Sequence, residues 1–245
     1  MTADLATSVL LGAVLLAGIV QGASGFAFSA VAGAILLQFE PPGETIRLLM
    51  LCGLIVQALV LVRLRKSISW WGSLPYIAGG AAGVLVAMIS FNVVGPDGLR
   101  AAFGGFLIAY ATRILLRWRP AFAEREAGLL GGTAIGFAGG LVGSFTAMPG
   151  AVLAICCDAQ SMPTTTQHSL VQPFVAAMQT LALTFLLLRS EAGTSLVLLQ
   201  DLLVALPALL LGAQIGVYLL GKVNVVVFRN VVCVLLLLSG VAMVS

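Results

Sequence analysis

Gln21-Gly22-Ala23-Ser24-Gly25 and Gly139-Gly140-Leu141-Val142-Gly143-Ser144 decide how this chain is read. Each lies in an apolar stretch too long for one membrane span. No charged residue stands between Asp4 and Glu40, or between Glu126 and Asp158. Subtracting 118 from the second set places Gly140 on Gly22 and Gly143 on Gly25. Two helices interrupted at matching places, about half the chain apart, point to an internal repeat with a binding site at the interruptions.

Composition supplies the solvent. The 245 residues are 60% hydrophobic and only 9% charged, with a mean hydropathy of +1.13. An ordinary soluble domain carries roughly 25% charged residues, so this chain cannot solvate a globular surface and its surroundings are a bilayer. A membrane barrel would need alternating strands of about ten residues, a pattern missing here. The first apolar stretch is no cleavable signal: it opens on Asp4, lacks a basic leader and runs past the length of a signal's apolar core. The net charge of +3 comes without a basic patch interleaved with aromatics, so no nucleic-acid partner is expected. Cys52, Cys156, Cys157 and Cys233 read as small buried hydrophobes. The alternative for Cys156-Cys157, a redox or metal pair beside Asp158, lacks partner ligands in a chain with one histidine.

The fold class expected is an all-α polytopic membrane protein of about eight spans, in two similar four-segment halves. The segments are about 6–38, 44–62, 70–91 and 98–117, then 127–157, 163–188, 196–220 and 225–244, estimated from the spacing of charges and the roughly 20 residues a span requires. The first repeat covers 1–120 and the second 121–245, within one membrane domain. Each half opens with a long broken segment followed by a proline-bearing loop, Pro41-Pro42 or Pro163. Pro75 with Gly79-x-x-x-Gly83 has a counterpart in Pro207 with Gly212-x-x-x-Gly216, a spacing that lets helix backbones approach closely.

Lysines and arginines set orientation. If both long segments cross, Arg63, Arg65, Lys66, Arg113, Arg117, Arg119, Arg125 and Arg189 lie inside, with Arg47, Arg100, Lys222 and Arg229 outside. If both fold back as hairpins, Lys222 and Arg229 move inside and Arg189 moves out. Crossing helices are the preferred expectation. The cell (inner) membrane, multi-pass, is the expected location, and Trp70, Trp71 and Tyr76 suit its interfacial belt.

Broken helices are tolerable in hydrocarbon only where protein or water satisfies the freed backbone groups. A half-helix starting after each break presents N–H groups and the positive end of its dipole to a small anion. Gln21, Gly22, Ser24 and Gly25 at the first break, and Gly139, Gly140, Gly143, Ser144 and Thr146 at the second, are the candidate contacts. The competing reading is that these glycines only allow close packing. At the start of the sixth segment, Gln167, His168, Ser169 and Gln172 form a polar stripe continued by Gln179, which should face protein or water. His168, with an imidazole's ordinary pKa of about 6.5, suits a proton relay, or else a structural hydrogen bond. Arg47 offers an anion a fixed charge, or snorkels to headgroups. Asp201 is the second candidate for proton coupling, with pairing to Arg189 as its plainer role. Gly22-Ala23-Ser24-Gly25 also has the G-x-S-G form of rhomboid intramembrane proteases, with His168 as base. A third class is a scaffold that moves no substrate. No G-x-x-x-x-G-K-[ST] loop is present, so ATP hydrolysis is not expected.

With these residues in view, the chain resembles the TauE/SafE sulfite-exporter family. The resemblance is carried by Gly18-Ile19-Val20-Gln21-Gly22-Ala23-Ser24-Gly25, by Gly136-Phe137-Ala138-Gly139-Gly140-Leu141-Val142-Gly143 with Met148-Pro149-Gly150, and by Gln167-His168-Ser169-Leu170. Ala23 and Phe26 interrupt the family's denser first glycine cluster, and Val31 stands where Pro149 stands in the second half. The resemblance implies a secondary transporter exporting a small organic or inorganic anion such as sulfite, sulfoacetate or another sulfonate. The expected partners are that anion and the lipid bilayer, with a homodimer left open; no enzyme activity, metal or cofactor is expected.

Overall fold

A computed structural model describes residues 3–24, 27–64, 68–116, 128–188, 192–220 and 225–244. Among them every regular element is an α-helix, as a chain in hydrocarbon must pair its backbone groups within each segment. The helices are α1 (Ala3–Ser24), α2 (Phe28–Leu36), α3 (Pro42–Leu64), α4 (Trp70–Leu115), α5 (Leu129–Thr146), α6 (Gly150–Ala159), α7 (Thr164–Leu188), α8 (Ala192–Leu220) and α9 (Val225–Val244). Among the described residues, five stretches are long and apolar enough to cross a membrane: Pro42–Val62, Trp70–Phe91, Leu129–Thr146, Thr165–Leu188 and Val197–Gly216. That is fewer than the eight expected. Thr7–Gln21, Gly150–Ala159 and Asn230–Val244 are shorter apolar helices. The orientation markers Arg65, Lys66, Arg117, Arg119, Arg125, Arg189 and Lys222 lie outside the described residues.

The chain forms two compact units. The first comprises Met1–Cys52, Pro96–Trp118 and Ser190–Ser245, and the second Gly53–Gly95 and Arg119–Arg189. Helix α4 divides at Gly95, whose φ of 66° and ψ of 172° are not helical. That region is open essentially to glycine, and Pro96 behind it disfavours a helical conformation at residue 95.

In the first unit α1 packs on α8, with Gly18 and Gly212 at the point of closest approach. A Cβ on Gly18 would lie 3.0 Å from the Leu209 carbonyl and 3.2 Å from Gly212 Cα. The second arm of α4 meets α9 through a similar pair: a Cβ on Gly104 would sit 2.9 Å from the Gly240 carbonyl, and one on Gly240 2.8 Å from that of Gly104. Small residues at such seams allow the dispersion contacts that replace a hydrophobic driving force in lipid.

In the second unit the seam between α4 and α5 is tighter still. Backbone carbonyls of Tyr76 and Gly80 occupy the space that side chains on Gly136 and Gly140 would need, and those of Thr133 and Phe137 do the same at Gly79 and Gly83. Residue numbers rise together on both sides, so this part of α4 and α5 run parallel. The same part of α4 also runs parallel to α7, since Ser73 Oγ donates to the Leu170 carbonyl (3.1 Å) and Gly80 faces Phe174 and Met178. Pro173 explains part of this docking. It has no N–H for the carbonyl of residue 169, and the Ser69 backbone N–H donates to that carbonyl at 3.2 Å.

Gln21 through Ser24 are helical in α1, and Gly25 lies outside the described residues; Gly139 through Ser144 are helical in α5, so the second run is not itself the break. Ala27 (φ 85°), ahead of α2, and Ala147 (φ 54°), just beyond the second run, take left-handed conformations. Gly136 and Gly140 pack closely against the α4 backbone. The preferred crossing-helix expectation is also corrected for the second half. Pro149 lies back along α5, against Gly143 with its carbonyl toward Gly139, and Gly150 faces Val171 and Val175 of α7. Because α5 and α7 are parallel to the same arm of α4, α6 is the return leg of a hairpin.

Candidate functional site

The second unit brings a polar ladder into its apolar interior. Gln57 on α3, Gln172 and Gln179 on α7 are each more than nine-tenths buried. Gln57 Nε2 donates to the Gln172 backbone carbonyl at 2.9 Å and also to Gln172 Oε1. With its oxygen so engaged, Gln172 turns Nε2 to His168 Nδ1 at 3.2 Å. The neutral imidazole then accepts at Nδ1 and keeps its proton on Nε2. One further rung is Gln179, whose amide fills the space beside Gly53; its Oε1 is buried without a hydrogen-bond partner.

The α5–α6 corner places Ser144 and Thr146 among the most buried polar residues, each 1% exposed. Their hydroxyls are turned into their own helix: Ser144 Oγ donates to the Gly140 carbonyl at 2.8 Å and Thr146 Oγ1 to that of Val142 at 2.9 Å. Their oxygen lone pairs remain as acceptors, but their protons are committed. Helix α6 begins at Gly150 without a side-chain cap. At the head of α7, Gln167 Nε2 donates to the Met162 carbonyl (3.0 Å) and Ser169 Oγ to that of Thr166 (2.8 Å). Both are therefore local terminus contacts.

In the first unit, the Phe28 N–H at the start of α2 donates to Gln21 Oε1 at 3.1 Å. Gln21 thus does for α2 what a capping side chain would do. Gly22 continues α1, while Gly25 and the side chain of Ser24 lie outside the described residues. The same unit holds a cavity of about 220 Å³ lined by Thr7, Glu40, Glu44, Thr45, Arg47 and Asp201 together with apolar side chains. Arg47 and Asp201, 154 residues apart in sequence, thus share one space.

A left-handed residue following a glycine-rich helix, then a short helix, occurs twice, with Ala27 and Ala147 120 positions apart. The family described as sulfite exporter TauE/SafE matches residues 10–243. The chain belongs to the TauE/SafE family. No curated protein and no solved structure matches it. As a TauE/SafE protein it is a membrane protein of a transporter family, and its apolar helices agree with that assignment.

Within this TauE/SafE chain, the structure joins His168 to Gln172, and Arg47 to Asp201. It assigns Gly136 and Gly140 to packing and gives Gln167, Ser169, Ser144 and Thr146 local partners. The sequence reading missed Gln57, Glu40 and Glu44. Gln57 carried a signal, since a lone amide in the middle of an apolar span must find a protein partner. Glu44 stands three residues before Arg47, one turn away on the same helix face.

Proposed function

We propose that this protein is a secondary transporter that exports a small organic or inorganic anion of the sulfite, sulfoacetate or sulfonate class across the inner cell membrane. The observation that supports it is the pair of corners: each starts a short helix, α2 or α6, whose own N-cap residue, Ala27 or Pro149, makes no side-chain cap, and one N–H at the start of α2 is taken up, by Gln21. Backbone N–H groups at a helix start are anion ligands needing no charged side chain. Under this reading the first corner contributes Gln21, Gly22, Ser24 and Gly25, and the second Gly139, Gly140, Gly143, Ser144 and Thr146. The second-corner glycines let neighbouring groups close around that site: Gly140 meets the Gly80 carbonyl, Gly139 the Phe174 ring and Gly143 Pro149. His168 and the Gln172 amide follow at the head of α7, and His168 carries the coupling proton. No chemistry on the substrate is involved, only alternating exposure of its site.

The test is flux into proteoliposomes containing the purified protein, with sulfite, sulfoacetate and methanesulfonate compared against a carboxylate under imposed proton gradients. Movement of a sulfur oxyanion above empty liposomes supports the reading, and absence of flux for all of them rejects it. His168→Ala should flatten the pH dependence of that flux. An unchanged profile would remove His168 from coupling while leaving transport in place.

A further inference from the structure

Arg47 rises from the second turn of α3, and its Nε donates to the Gly43 carbonyl at 3.1 Å, fixing the side chain along its own helix. Its Nη1 is buried and has no hydrogen-bond partner. Glu40 after α2, Glu44 on α3 and Asp201 on α8 line the same cavity. They are the titratable groups facing Arg47 from those elements; α1 contributes Thr7 and Leu10, neither of which titrates. Among the described residues none of the three carboxylates is ion-paired with Arg47. Glu44 is exposed, whereas Arg47 and Asp201 are half-buried.

This arrangement is unusual for a purely structural arginine. A guanidinium offers five N–H donors in a planar fork that matches an oxyanion, and here one donor nitrogen is both dry and idle. The volume of about 220 Å³ has room for several waters at ~30 Å³ each. A four- or five-atom oxyanion therefore fits with part of its hydration. An ionised Asp201 in the same space repels such an anion; a protonated one does not, and adds an O–H donor.

We propose that this cavity is a proton-gated docking site for a monovalent oxyanion: the anion binds the Arg47 guanidinium when the Asp201 carboxyl holds a proton, and is expelled when that proton leaves. Glu44, at the exposed side, modulates entry by its charge. One proton and one anion are taken up together and released together, so the cavity alternates between two states of equal net charge. This rests on the transport reading and adds Asp201 to His168 as a second residue that takes up a proton, but the binding itself can be measured without flux.

The probe is methanesulfonate, whose single charge does not change across the range used. Its affinity for the full-length protein in detergent is measured by calorimetry and by thermal stabilisation at about pH 4.5 and about pH 8, a span wide enough to change the charge of a half-buried carboxyl. The wild-type protein should bind at least about tenfold more tightly at the lower pH, a difference of roughly 1.4 kcal/mol. Arg47→Gln should lose binding at both. Asp201→Asn should bind at the higher pH as tightly as wild type does at the lower, a gain that misfolding cannot imitate. Glu44→Gln should strengthen binding less than Asp201→Asn does. A wild-type affinity that is flat with pH, or an Asp201→Asn protein with no gain, overturns the proposal, as does stabilisation by sodium ions in place of the anion. If binding behaves as expected and proteoliposomes pass no anion, the docking site stands and the transport reading falls. If flux is present while Arg47→Gln binds normally, the docking site falls alone.

Discussion

Gly140 packs directly on the Gly80 carbonyl: any side chain at position 140 would occupy the space that carbonyl fills. The two helices therefore touch backbone to backbone, and Gly136 against Tyr76 repeats the contact one turn earlier. Here the glycine-rich motif has a mechanical role in the wall of the second unit.

Gly140→Ala should accordingly lower stability by about 1–3 kcal/mol, the usual cost of overpacking a close seam. The check is the thermal midpoint of the purified protein, followed by size-exclusion chromatography after heating. The folded fraction should keep its anion affinity. Lost affinity with an unchanged midpoint would restore Gly140 as a ligand-contacting residue.

At the corners, Ala27 and Ala147 hold a left-handed conformation that costs an L-residue roughly 1–2 kcal/mol. Ala147→Gly removes that cost against a greater loss of chain entropy, so it should be neutral or up to about 1 kcal/mol stabilising. Ala147→Ile should destabilise, since a β-branched residue there is a backbone outlier. Unfolding midpoints of the two variants, ranked against wild type, decide this; an equal tolerance of glycine and isoleucine would contradict the corner geometry.

The α3–α7 ladder makes a further prediction. Gln57→Leu or Gln172→Leu alone leaves the other amide buried with lost partners, at a cost of about 1–3 kcal/mol. Replacing both removes the orphan together with its partner, so the double variant should be less destabilised than the sum of the singles. Strict additivity in a double-mutant cycle on thermal unfolding would show that the two amides do not act as a pair.

Helix positions were legible in the sequence because charges are so sparse that their spacing outlines the apolar segments. The segment expected at 44–62 is α3, that at 163–188 is α7, and that at 225–244 is α9. The corners were displaced because a glycine within hydrocarbon has two uses. At Gly140 the neighbouring helix demands a small residue while the backbone stays helical, and composition alone cannot distinguish that from a break. Ala147, where the backbone turns, carries no sequence signal, since alanine is a strong helix former. The partnership of Gln172 with Gln57 depends on which face of α3 meets α7, and that register follows from packing such as that of Gly53 on Gln179, between helices far apart in the chain. His168 and Gln172, one turn apart on a single helix, were readable because a 3.6-residue period suffices. Arg47 and Asp201 were each singled out on their own, but only the folded chain brings them to one cavity.

The return of α6 alongside α5 also has a consequence for how the chain is inserted. A hairpin that comes back toward the end from which it started hands no loop across the bilayer to the insertion machinery. The turn at 160–163 therefore stays on the same side as the segment leading into Leu129. A reporter fused at Gln160 and one fused at Gly128 should answer alike to any reagent confined to one face of the membrane, although the 31 mostly apolar residues Leu129–Ala159 separate them.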